Sequence, residues 1–116
     1  MKTYKLVVFV PHAAKESVKA AMFAAGAGTG EYANYDCCAF ESEGVGQFRP
    51  LGGANPHVGE VGAVHHEPEV RVELIVSENN AQAVLRALKN AHPYEEPAFD
   101  LFERVALSHS QHETAS

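Results

Sequence analysis

Between Tyr4 and Val10 the chain reads YKLVVFV, with Leu6, Val8 and Val10 in one alternating set and Val7 and Phe9 in the other. Apolar residues in both sets predict a strand covered on both faces. From Ala14 to Ala25 the period changes. Ala14, Val18, Ala21, Met22 and Ala25 recur at helical spacing, while Lys15, Glu16 and Lys19 fall on the opposite side. Gly26 is placed to end this helix in a left-handed conformation. Asn34 to Glu41 (NYDCCAFE) predicts a second strand. The clearest alternation runs from Val70 to Val76, with Val70, Val72, Leu74 and Val76 set against Arg71, Glu73 and Ile75. Ser77 suits the N-cap of a second helix whose apolar stripe is Ala81, Val84, Leu85 and Leu88. Pro93 stops that helix, and Ala98 to Val105 (AFDLFERV) predicts a last strand.

The order is strand-helix-strand twice, which predicts an α+β fold, the ferredoxin-like βαββαβ sandwich with both helices on one face of an antiparallel sheet. The other face has no helix to cover it. Val7, Phe9 and Ile75 lie in its register, so we expect a second subunit to bury part of it.

Ser42 to Glu69 is a 28-residue connection holding six of the nine glycines, far longer than a usual link. Val45 to Pro50 and Val58 to Val64 are expected to form the arms of an extra hairpin between the two halves, with Leu51 to His57 as its turn. A phosphate cradle is not expected. Gly26-Ala27-Gly28-Thr29-Gly30 follows a helix rather than a strand, and Gly44-Val45-Gly46 has no helix behind it, so both read as turn glycines.

With 116 residues the chain suits one domain, taken as 1–107, with a polar and disordered tail at 108–116 in which His109 and His112 need no role. No apolar run approaches the roughly 20 residues that cross a bilayer. The short apolar stretch after Lys2 and Lys5 ends in Pro11-His12, which suits a strand better than a leader. A cytoplasmic protein without a membrane partner is the expectation. A net charge of −6, with nine scattered Lys and Arg, excludes nucleic acid as the main partner.

The reactive side chains are scattered. Cys37 and Cys38 are adjacent, and a disulfide between strand neighbours would be strained, so they read as reduced thiols. Cys37, Cys38, His57, His65, His66, His92, Glu95 and Glu96 lack the C-x-x-C or helical i, i+4 spacing of a zinc site. Glu95 and Glu96 stand between Pro93 and Pro97, where carboxylates more readily cap a turn or meet an arginine than act as an acid–base pair. Arg49, in Gln47-Phe48-Arg49-Pro50, can fork onto a carboxylate or phosphate, or close a salt bridge within the fold.

Three strings carry a family resemblance: Asn34 to Phe40 (NYDCCAF), Gly44 to Pro56 (GVGQFRPLGGANP) and His92 to Asp100 (HPYEEPAFD). Together they resemble the small domain inserted in the bacterial YqfO-like dinuclear metal-centre proteins, and His92-Pro93-Tyr94-Glu95 is also similar to a stretch of CutA. The resemblance spans nearly all of Tyr4 to Val105. It implies a CutA-like or PII-like fold that assembles with copies of itself, a trimer being favoured. The flanking halves that hold the metals in the larger relatives are not represented, so their dinuclear site and hydrolase activity are not carried over.

The resulting expectation is a stand-alone, non-catalytic, homo-oligomeric binding or regulatory module without a cofactor. The matched strings nominate Tyr35, Asp36, Gln47, Phe48, Arg49, Asn55, Tyr94, Glu95 and Glu96 for a small-molecule ligand or for the interface between copies. The alternative is copper or zinc binding through Cys37, Cys38, His65, His66 and His92, in metal tolerance. An enzyme with a cysteine nucleophile ranks last.

Overall fold

The computed structural model describes residues 1–30 and 33–105. The expected polar tail, 108–116, lies outside them. Strand β1 (Thr3–Pro11) leads through a 3-10 turn into helix α1 (Lys15–Ala24), and strands β2 (Phe40–Phe48) and β3 (His65–Ser77) follow. A second 3-10 turn leads into helix α2 (Ala81–Ala91), and β4 (Phe99–Glu103) completes the order. The sheet runs β2-β3-β1-β4 with every neighbouring pair antiparallel. Each helix thus connects two parallel strands that have a third between them, which is the ferredoxin-like arrangement.

The register explains the core. Leu6 pairs with Leu74, Val8 with Val72 and Val10 with Val70, all on the face beneath the helices. These six side chains are at most 3 % exposed, and Val18 and Met22 of α1 and Val84 and Leu88 of α2 close over them. Phe99 and Leu101 of β4 pack at the margin. Gly26 ends α1 at φ 109°, its N–H bonding Phe23 O while the Ala27 N–H reaches back to Met22 O. This double closure requires a left-handed residue at that position. A side chain at 26 would also strike Asn80, so the same glycine lets the end of α1 rest on the turn before α2.

Three boundaries differ from the sequence expectation by five residues or more, and the last strand, expected over Ala98 to Val105, runs only from Phe99 to Glu103. The second strand starts at Phe40 rather than Asn34 and continues to Phe48. The third starts at His65, five residues before Val70. The Gly-rich segment is therefore a hairpin, but its arms are β2 and β3 themselves, paired from Phe40↔Glu73 to Phe48↔His65. Val58 to Val64 is not a strand: residues 49–64 form an irregular loop held by Gly62 N–H to Pro50 O and Ala54 N–H to Leu51 O. Gly44 and Gly46 are accordingly strand residues rather than turn glycines. Ser77 makes no side-chain cap; it precedes the second 3-10 turn in extended conformation.

β1 ends opposite Glu69, so β3 from His65 to Pro68 and β2 from Val45 to Phe48 run on beyond the sheet as a two-stranded overhang. Pro68 stands where β3 has no β1 neighbour, a position at which the missing N–H is tolerated. β2 contributes no buried residue, and its helix-side Glu41 bonds both Lys15 and Lys19 of α1. That pairing holds the Glu41 carboxyl below, and both ammonium groups above, their ordinary ranges.

Candidate functional site

On the face without helices, strands β1 and β3 present Phe9, Glu69 and Arg71, and β2 presents Gly44, Gly46 and Phe48. The overhang and its loop rise at one end of this face, and the loop 92–98 lies across from them. Between them is a cleft of about 900 Å³. Gln47, Phe48, Arg49, Tyr94, Glu95 and Glu96, all named by sequence, line it. Asn55 belongs to the same neighbourhood through its backbone, whose N–H donates to Glu95 Oε1 at 3.0 Å.

Tyr94 organises the cleft. Its ring stands 4.9 Å from His92, 6.0 Å from Phe48 and 6.2 Å from His57, all tilted contacts of the kind aromatic pairs favour. Its hydroxyl donates to Glu69 Oε2 at 2.7 Å, and burial, with that carboxylate beside it, pushes the phenol well above its ordinary pKa. Glu69 is only 7 % exposed. Room for its carboxylate exists because Gly46 lies diagonally across on β2, where a Cβ would overlap it.

His92 fastens the loop to the sheet. It is 6 % exposed, its Nε2 bonds the Phe9 carbonyl at 2.8 Å and its Nδ1 accepts the Tyr94 N–H at 3.1 Å. Those partners assign the proton to Nε2. Burial lowers its pKa against the opposing pull of the Phe9 carbonyl and Glu69. Both ring nitrogens are engaged within the chain.

The remaining nominated residues lie elsewhere. Tyr35, Asp36, Cys37 and Cys38 are exposed in the α1–β2 connection, where Tyr35 O accepts the Gly30 N–H and the Cys38 N–H donates to Gly28 O. Gly28 in turn bonds Ile75 O. Ile75 is six residues along β3 from Glu69, roughly 20 Å in an extended strand. Cys37 takes a left-handed φ of 53°, so this stretch is a turn and not the strand the sequence suggested. The two free thiols are thus at the far end of the sheet from His92 and from His65, whose Nε2 meets Glu67 Oε1 at 2.7 Å. His66 is exposed opposite Gln47. Among the described residues, no group of three or more His, Cys, Asp or Glu side chains is placed to hold a metal ion.

Sequence reasoning missed Glu69, Gly46, His57 and Phe9 as parts of the cleft. Glu69 continues the outward set Arg71, Glu73 and Ile75, which places it on the open face; nothing in the sequence joins it to Tyr94, 25 residues away.

No family model matches the chain. Curated relatives are found: the chain is 46% identical over 99 residues to the GTP cyclohydrolase 1 type 2 homolog of Halalkalibacterium halodurans, covering 85% of this chain and 26% of that protein. Its counterpart in Bacillus subtilis is 48% identical over 99 residues, again with 26% of the relative covered. The chain therefore spans about a quarter of the length of the curated relatives it matches. Among solved structures, a Bacillus cereus protein related to NIF3 superposes with a TM-score of 0.74 at 39% identity, over 89% of this chain and 26% of that one. CutA of Xylella fastidiosa superposes with a TM-score of 0.66 at 14% identity over 98% of this chain and 93% of that one, and shows the fold alone. The same holds for B. subtilis GlnK, at a TM-score of 0.59 and 12% identity over 89% of this chain and 82% of that one. The chain is thus related to the YqfO/NIF3 proteins over a segment of CutA- and PII-like fold that corresponds to about a quarter of their length.

Proposed function

We propose that this chain is a non-catalytic, homo-oligomeric binding module whose ligand enters the cleft between the β2–β3 overhang and the loop 92–98. The observation that carries this reading is the convergence there of Gln47, Phe48, Arg49, Tyr94, Glu95 and Glu96 from two stretches more than 40 residues apart. A concave site with aromatic walls and a few fixed polar groups is the form that small-molecule sites take. The non-catalytic reading is supported by the placement of Cys37 and Cys38 far from His57, His65 and His92, which leaves the thiols without a nearby histidine base among the described residues. The activity suggested by the relatives' name concerns proteins of which this chain covers 26%, and it is not transferred.

Self-association is supported by the far end of the uncovered face. Phe40 and Phe102 are 66% and 54% exposed there, flanking the half-buried Ile75, and among the described residues both edge strands have an unpaired side. Val7, expected to need a partner, is already 3% exposed within the chain, so association rests on the two phenylalanines and the strand edges. Light scattering coupled to size exclusion tests it. At micromolar concentration we expect a multiple of 12.5 kDa, with three copies favoured, and a clean monomer overturns the assembly. Native mass spectrometry of the purified chain tests the ligand, a co-purified small molecule released by Tyr94→Ala being the expected result.

A further inference from the structure

The floor of the cleft holds a largely buried carboxylate whose one side-chain donor among the described residues is a tyrosine hydroxyl. Glu69 is 7% exposed and lines the cleft, with Oε2 taken by the Tyr94 hydroxyl. Among the described residues none of the ion pairs includes it. Burying a carboxylate is costly unless a cation or several donors compensate, and one neutral hydroxyl is weak compensation. Gly46 makes the position sterically available, so the strand opposite is shaped around the carboxylate rather than against it.

The surroundings select the sign of a guest. Glu95 and Glu96 join Glu69 around the cleft, which Arg49 and Arg71 also line; Glu43 belongs to the helix-side set of β2, where it meets His12. Arg71 is already engaged, with Nε on Glu73 Oε2 at 3.0 Å and its guanidinium 5.9 Å from the centre of the Phe9 ring. Phe9, Phe48 and Tyr94 contribute ring faces, which attract cations and pack against alkyl chains.

We propose that the cleft is a site for a free alkylammonium ion, with its charged head on Glu69 and its chain against Phe48 and Phe9. This rests on the reading of the cleft as the module's ligand site and names the class of ligand.

The test is an amide-resolved NMR titration of the whole chain with n-butylammonium chloride, with sodium butyrate as the matched anion at equal ionic strength. Saturable shifts around Phe48, Glu69 and Tyr94 are expected with the amine and none with butyrate. Glu69→Gln, which can still accept the Tyr94 bond, is expected to weaken binding by about tenfold or more, as loss of a charge-assisted contact does. Phe48→Leu, which keeps the wall apolar, is expected to weaken it severalfold through loss of the ring face.

Equal shifts with butyrate, or a wild-type titration in Glu69→Gln, overturn the proposal. Light scattering on the same samples separates the two readings. An intact oligomer with no amine response sinks the ammonium class and leaves the assembly standing. If Glu69→Gln lowers the mass while the wild-type chain ignores butylammonium, the carboxylate serves the contact between copies and the free-ligand proposal fails.

Discussion

The two faces of β3 use the same eight-residue alternation, Glu69 to Val76, for opposite ends. Val70, Val72, Leu74 and Val76 are at most 3% exposed beneath the helices, and their energy comes from area removed from water. Glu69, Arg71 and Glu73 on the other face hold their places through named partners: the Tyr94 hydroxyl, Phe9 with Glu73, and Lys5 with Arg71. The first face asks for apolar residues of the right shape. The second needs particular atoms at particular distances. Stability is therefore concentrated on one side of the strand and chemical selectivity on the other.

The largest effect that would break this comparison belongs to the helix side. Leu88→Ala removes a fully buried side chain between α2 and the sheet and is expected to cost about 2–5 kcal/mol in urea denaturation. A cost below 1 kcal/mol would show that the core does not carry the fold. On the open face, Tyr94→Phe deletes the hydroxyl from a half-buried pair and leaves the Glu69 carboxylate without its donor. The expected cost is about 1–3 kcal/mol, with a cooperative transition preserved. A neutral result would mean that water replaces the hydroxyl, and the cleft floor would then be wetter than its 7% exposure indicates.

The smallest effect sharpens the comparison through pH. Burial lowers the His92 pKa below its unfolded value of 6.5, so the unfolded chain binds that proton more readily. The stability this histidine contributes is complete above about pH 6.5 and is lost as pH falls through the lower folded value. Glu69 and the Phe9 carbonyl oppose the shift and His57 adds to it. Unfolding midpoints between pH 5 and 8 should fall toward acid more steeply in the wild-type chain than in His92→Gln. Parallel curves would assign the acid sensitivity to other histidines.

The sequence reading succeeded where burial is one-sided. Val70 to Val76 alternates because the helix side of the sheet is the packed one, and the helices announce themselves at Val18, Met22, Val84 and Leu88 for the same reason; Leu6 to Val10 is apolar in both sets, and Val7 on the open face is indeed buried. It failed at β2, whose residues are all partly or wholly exposed and whose strand character comes from pairing with β3 rather than from its own pattern. The β-prone residues just before it, Tyr35 to Ala39, are all exposed around the left-handed Cys37. The cleft was half legible. The strings around Phe48 and Tyr94 marked its two walls, but its floor depends on a glycine that read as a turn and on a glutamate at the start of a long strand. Their relation is a register, Gly46 diagonal to Glu69, and a register exists only once the strands have paired.

The overhang of β2 and β3 beyond β1 sets how the site melts. A lone two-stranded ribbon is marginal in water, so the last rungs from Val45↔Pro68 to Phe48↔His65 depend on the aromatic contacts of Phe48 with His65 and Tyr94. The cleft can therefore lose its wall while the four-stranded sheet and its helices stay intact. Occupancy and order at the tip are then one equilibrium: whatever fills the cleft also finishes folding the arm.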